Sequence, residues 1–256
     1  MTKFSDPSKF IGLVVALGMK TIKLRYKNSI LGFLWSMMNP LIYLIIFTFV
    51  FGNVFVEIDR YPLYALTGLI CWLFFSTTSI QVIESIINSS GVLKSINIPT
   101  IAFPLSAQLA SIISLFLSMI PFLIMMLFFG MKLGWETFLF FPILILFTCF
   151  TFGISLILAS FNVYFRDMQL AWSSFMPAIF YATPIAYTSN LIPEKFLWLI
   201  QLNPLYHFVG AFREVFYYNQ APSLTQTGMM LALGILPLLA GLFIFKKLEK
   251  GFVSQY

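Results

Sequence analysis

Charge is what this chain has least of. Only 9% of its 256 residues are charged, against 60% hydrophobic. A soluble domain carries about 25% charge and roughly 45–50% apolar residues. The shortage excludes an ordinary soluble globule and a disordered chain. Cysteine occurs only at Cys71 and Cys149, both within apolar runs and with no CxxC or Cys/His cluster. That excludes a disulfide scaffold, a metal site and a redox pair, and the two read as packing residues. Histidine occurs once, at His207, so no Ser/His/Asp or Cys/His set assembles and no catalytic residue is assigned. No G-x-x-x-x-G-K-[ST] sequence is present to cradle nucleotide phosphates. Ionisable residues inside membrane spans usually mark proton or ion routes. Here the apolar runs are nearly bare, and nothing in the sequence pairs Glu84 at the end of one of them. If the protein moves a cargo, the energy comes from another chain.

What is there is length without charge. A spanning helix needs about 20 apolar residues, at about 1.5 Å per residue across a hydrocarbon layer of about 30 Å. The charge-free runs are 28–56, 61–83, 95–131, 137–165, 168–193, 196–212 and 215–245. The run 196–212 has only 17 residues and holds Gln201, Asn203-Pro204 and His207 in its middle. An unpaired backbone group in hydrocarbon costs several kcal/mol, so that run reads as short external helices or a re-entrant turn. The other six predict spans over about 33–55, 62–83, 103–129, 138–161, 170–189 and 225–245. The expected fold is an all-α polytopic membrane protein. It divides into a cytosolic segment 1–29 and a six-span domain 30–256.

Lys and Arg set the orientation. With both termini inside, the inner segments hold 11 of them and the outer segments 4, namely Arg60, Lys132, Lys195 and Arg213. A seventh span would reduce the bias to 9 against 6. The net charge of +6 therefore reflects membrane topology, with no nucleic-acid partner implied. Residues 8–27 read as an amphipathic interfacial helix. At 100° per residue, Lys9, Lys20, Lys23 and Lys27 fall within about a 60° sector, with Ile11, Val14, Val15, Ile22 and Tyr26 opposite. Arg25 and Leu13 break the separation. The rival reading, a signal peptide, lacks a small-residue cleavage site. The inner loop 88–99 opens on Asn/Ser/Gly, stops at Pro99 and brackets one or two helical turns. It is either a plain connector or a helix offered to a soluble partner, with Val92, Leu93 and Ile96 as its apolar handle. The loop 162–168 is also cytosolic, and Arg166 with Asp167 anchors a helix end.

Aromatic residues make up 18% of the chain. Trp35, Asn39, Tyr43, Phe47 and Phe51 recur every fourth residue, a ribbon winding slowly around the first span. Such a stripe is commonly a packing or lipid face. The functional reading is a slide for a long polar polymer, since aromatic faces pack against sugar C–H faces. Asn39-Pro40 would free a carbonyl there, tolerable only beside protein or water. The segment 190–224, with its broken, charged character, is either an external lid or a plain connector. An enzyme of lipid or glycan assembly would need an acid or histidine cluster, and only Glu57 with Asp59, or Glu194 with His207, offers one.

Asn203-Pro-Leu-Tyr-His-Phe-Val-Gly-Ala-Phe-Arg213 resembles the C-terminal signature of ABC exporter permeases of the second class. The segment 93–99 with Phe103-Pro104 resembles that family's coupling-helix region, and 162–167 its second cytosolic loop. The likeness covers nearly the whole chain. The nearest subgroup is the exporters of O-antigen, capsule and teichoic-acid polysaccharide. The resemblance implies a homodimer of permeases in the cell inner membrane and two separate ATP-binding cassette subunits that carry ATP and Mg. It implies no cofactor on this chain and a glycan built on undecaprenyl pyrophosphate. By it, Gly91, Val92, Leu93, Lys94, Ser95 and Ile96 dock on the ATPase. Residues 191–218, with Asn203, Pro204, His207 and Arg213, form the external gate. The basic residues Lys20, Lys23, Arg25 and Lys27 meet membrane lipid and the lipid pyrophosphate. Export of another lipid, a drug or a teichoic-acid polymer by the same architecture stays open.

Overall fold

The computed structural model describes residues 6–95, 98–131 and 133–252. Among these residues the only regular structure is helix. The helices are α1 (Pro7–Arg25), α2 (Leu34–Phe51), α3 (Tyr61–Ser85), α4 (Ser90–Ser95), α5 (Ala102–Phe128), α6 (Phe140–Tyr164), α7 (Asp167–Ala182), α8 (Leu197–Gln201), α9 (Pro204–Phe216) and α10 (Leu224–Leu248). Local chemistry marks the boundaries. Asp6 caps α1 by accepting from the Ser8 hydroxyl at 2.7 Å and the Ser8 N–H at 3.1 Å, and those bonds hold its carboxyl below the usual range. Asn203 caps α9 by accepting from the Leu205 N–H at 3.0 Å, and Ser223 caps α10. Pro7 and Pro204 open their helices, where the missing N–H costs nothing. Asn28 at φ 62° and Gly32 at φ 50° turn the chain between α1 and α2.

Five helices are long and apolar enough to cross a membrane: α2, α3, α5, α6 with its leading turn, and α10. The chain is an all-α polytopic membrane protein. The run 168–193 behaves differently from the predicted span 170–189. Its helix, α7, has 16 residues and stops at Ala182, about 24 Å along. Pro184 explains the stop, because its ring pushes Thr183 into extended geometry, φ −103° and ψ 126°. Residues 183–187 then continue without helix toward the Tyr61 end of α3.

Two apolar clusters hold the bundle together. One, including Val82, Ile86, Phe152, Leu156, Phe245 and Phe252, occupies the end that carries α4. The larger fills the middle and the opposite end around Phe74, Phe122, Phe147, Phe208 and Phe212. Helix α9 is built into this second cluster, where Phe208 lies 4.9 Å from Phe147 and Phe216 lies 5.2 Å from Phe122, ring centre to ring centre. Helices α6 and α10 touch backbone to backbone. A Cβ on Gly153 would fall 2.4 Å from Leu238 N, and one on Gly241 would fall 2.5 Å from Gly153 O. Glycine at such crossings lets membrane helices approach closely. Pro40 sits inside α2 and cannot donate to the Ser36 carbonyl one turn back. Ser118 of α5 supplies the missing donor, its hydroxyl 3.0 Å from Ser36 O.

Candidate translocation groove and gate

Helices α1, α2, α3 and α5 enclose two adjoining cavities that share Arg25. The one deeper in the bundle, about 440 Å³, is lined by Trp35, Asn39, Thr77, Ser111, Ser114 and Ser118 among others. The three serines stand at i, i+3 and i+7 on one face of α5. The other, about 560 Å³ at the α4 end, is lined by Lys20, Arg25, Gln81, Glu84, Asn88 and Val92 among others. Arg25 joins them by donating to Ser114 Oγ at 3.1 Å and to Gln81 Oε1 at 2.5 Å. Gln81 Oε1 also accepts from Ser111 at 3.0 Å. Helix α1 gets there by docking on α5, with Gly18 buried against the Ser106 carbonyl and Leu109. Hydroxyls and amides beside an indole suit a polyhydroxylated solute. Lys20 and Arg25 against the single carboxylate of Glu84 leave that mouth net positive, which favours an anionic group there.

The five ribbon residues do not share one wall. Trp35 and Asn39 line the groove, while Tyr43 faces a separate cavity of about 330 Å³ beside Trp72 and Phe180. Phe47 and Phe51 turn into the protein. Phe47 lies 6.1 Å from Phe180, and Phe51 stacks on Phe55 at 5.7 Å. Of the basic residues, Lys20 and Arg25 reach the groove, and Lys23 and Lys27 are exposed.

Helix α4 presents Gly91, Lys94 and Ser95 outward. Val92 and Leu93 are half-buried, Val92 against the groove and Leu93 against the α4-end cluster. Ile96 lies outside the described residues. A constellation that sequence reasoning missed joins this end to α7. Glu84 accepts from Gln169 Nε2 and, at 3.4 Å, from Asn88 Nδ2. Asn162, fully buried, donates to Ile83 O at 3.2 Å and accepts from the Gln169 N–H at 3.2 Å. Only the polarity of these residues near helix ends hinted at a role; their pairing is long-range.

The residues expected to form a gate gather at the far end of α7. Asn203 donates to Ala182 O at 3.2 Å and to Thr183 Oγ1 at 2.8 Å. His207 Nε2 lies 2.8 Å from Gln201 O, closing the turn between α8 and α9, and Pro204 opens α9. Arg213 is 5% exposed. It donates to Pro184 O at 2.7 Å and Ile185 O at 2.6 Å, and its guanidinium lies 3.7 Å from the centre of the Tyr64 ring. Gly68 makes room, since a Cβ there would sit 3.0 Å from Arg213 Nη2. The hydroxyls of Tyr61 and Tyr64 donate to Ala186 O and Tyr187 O at 3.0 and 3.2 Å. Four consecutive carbonyls of the unwound segment are thus satisfied by protein.

A helical membrane protein with a polar groove between its spans, a donor-held unwound segment and no nucleotide-binding loop has the design of a transport permease. The family model described as ABC-2 type transporter matches residues 12–217, and the chain belongs to that family. It is 36% identical to an O-antigen export system permease protein, RfbA, of Klebsiella pneumoniae, with 94% of each chain covered. It is 27% identical to the Myxococcus xanthus protein of the same description, over 96% of each chain. It is 24% identical to the polysialic acid transport protein KpsM of Escherichia coli, over 94% of this chain and 95% of that one.

Proposed function

We propose that this chain is the permease subunit of an ATP-driven exporter that passes a lipid-linked polysaccharide of O-antigen type across the cell inner membrane. The observation that carries the reading is the 36% identity running along 94% of both chains with an O-antigen export permease. Two copies form the channel and two separate ATP-binding cassette subunits drive it. Helix α7 with its unwound tail 183–187 makes the fifth of six crossings, and both termini and α4 face the cytosol. The ATPase docks on the outward face of α4 at Gly91, Lys94 and Ser95. The undecaprenyl pyrophosphate anion enters at Lys20 and Arg25, and sugar hydroxyls exchange partners along Ser111, Ser114, Ser118 and Asn39, with Trp35 as a stacking face. Helices α8 and α9 form the external gate.

The test is genetic complementation in the host. Deletion should trap lipid-linked glycan on the cytosolic face, and restoration should need both this chain and its ATPase. Normal surface glycan in the deletion strain, with no second exporter present, removes the proposal. So does uphill transport on an ion gradient by the isolated chain in vesicles.

A further inference from the structure

A third cavity, about 590 Å³, lies away from the groove, between α1, α5, α6 and α10. Its walls are apolar apart from Gln108, Thr148 and Cys149; Phe10, Val14, Leu109 and Leu242 are typical of the rest. Its rim opens to the membrane, where Ile11 is 62% and Leu242 41% exposed. Gln108 is 4% exposed, and both its side-chain oxygen and nitrogen lack a hydrogen-bond partner. A buried amide left so costs free energy until a donor and an acceptor are brought to it. Water fits poorly, because a buried water needs two to four polar partners and these walls offer few.

We infer that this cavity is a binding site for one anionic glycerophospholipid of the leaflet at the α4 end. The acyl chain fills the apolar part. Its ester carbonyl accepts from the Gln108 amide nitrogen. Depth agrees, since Gln108 lies six residues into α5 from Ala102, about 9 Å at 1.5 Å per residue. The headgroup meets a cation. Lys246 is exposed and follows Leu238 and Leu242 at four-residue steps, on the same face of α10 as those two lining residues. A prenyl chain whose phosphate stays at the surface with Lys246 offers no carbonyl at the depth of Gln108, which distinguishes it from a glycerophospholipid at this site.

The test is photolabelling of the full-length chain in vesicles with phosphatidylglycerol carrying a diazirine in its acyl chain. Adducts should map to residues 10–15 and 238–242. Gln108→Leu and Lys246→Gln should each reduce them about fivefold, the equilibrium effect of one net polar contact. Gln108→Leu should keep or raise the unfolding temperature, which separates lost binding from lost folding. Adducts elsewhere, or labelling unchanged in both variants, would overturn the inference. So would equal labelling of these residues by phosphatidylcholine or a prenyl phosphate bearing the same diazirine.

Discussion

Replacing Arg213 tests the account of the gate most directly, because the two obvious substitutions should rank against intuition. Arg213 donates to two carbonyls and lies against the Tyr64 ring. Hydrogen bonds from a charged donor contribute about 1.5–3 kcal/mol each, and a desolvated cation–π contact about 2. Against this stands the desolvation of a guanidinium with no carboxylate partner, several kcal/mol. Arg213→Met gives up both sides of that balance, so global stability should change by no more than about 2 kcal/mol. Arg213→Lys keeps a buried charge, yet a compact ammonium cannot hold two carbonyls and lie flat on the ring. It should be the less stable of the two, by about 2–3 kcal/mol. Both should release the unwound segment. Hydrogen exchange at the amides of Ile185 to Tyr187 should accelerate about a hundredfold, the equivalent of about 3 kcal/mol. If Arg213→Lys matches the parent protein in exchange and export, the carbonyl latch is not what holds the segment.

Gly153→Ala should place a methyl where backbone already lies and lower stability by about 1–3 kcal/mol, while Gly12→Ala, with open space around it inside α1, should hold or slightly raise the unfolding temperature. Equal effects would refute the close α6–α10 crossing. On α4, Lys94→Glu should uncouple ATP hydrolysis from export while the spans stay folded, read by ATPase and transport assays together. Leu93→Asp should destabilise the α4 end, because it puts a carboxylate against apolar packing; the reverse pattern would mean that Leu93 is the docking handle. A double-mutant cycle with Glu84→Ala and Gln169→Ala should give a coupling energy of about 1 kcal/mol in stability; additivity would mean the pair is incidental.

Five of the predicted spans were legible because length without charge is a one-dimensional property. The charge-free runs 28–56, 95–131 and 137–165 contain α2, α5 and α6, while α3 and α10 fill most of 61–83 and 215–245 and run on past their charged ends to Ser85 and Leu248. Pro40 was legible too, since a proline in an apolar run must strand a carbonyl, but which hydroxyl answers it was not. The early end of α7 was written in Pro184, yet the charge count alone passed over it. The aromatic ribbon shows the limit of periodicity. A four-residue spacing places side chains along one strip of α2, but α7 approaches only part of that strip, so Phe47 meets Phe180 while Trp35 stays with the groove. Arg213 carried no local signal of burial at all, because its partners lie 28 and 29 residues upstream.

Those long-range pairs share a logic. Among the buried polar residues of the described chain, three have side chains larger than serine or threonine: Gln108, Asn162 and Arg213. Gln108 faces the membrane cavity. The other two stand at opposite ends of α7. Asn162 ties the start of α7 to α3 and α6, with Gln169–Glu84 and Trp172–Ser79 beside it. Arg213 and Asn203 tie its unwound tail to α9. Between these ties α7 is weakly held, with Met176 its one buried residue. Apolar packing cannot fix such a helix in register, because lipid tails are as apolar as its own side chains. Directional bonds at both ends can. The middle of α7 is held by apolar packing of Met176, Ile179 and Phe180, so the directional bonds at its two ends are what set its register. At both ends of α7 the buried polar groups are placed where a bond specifies position.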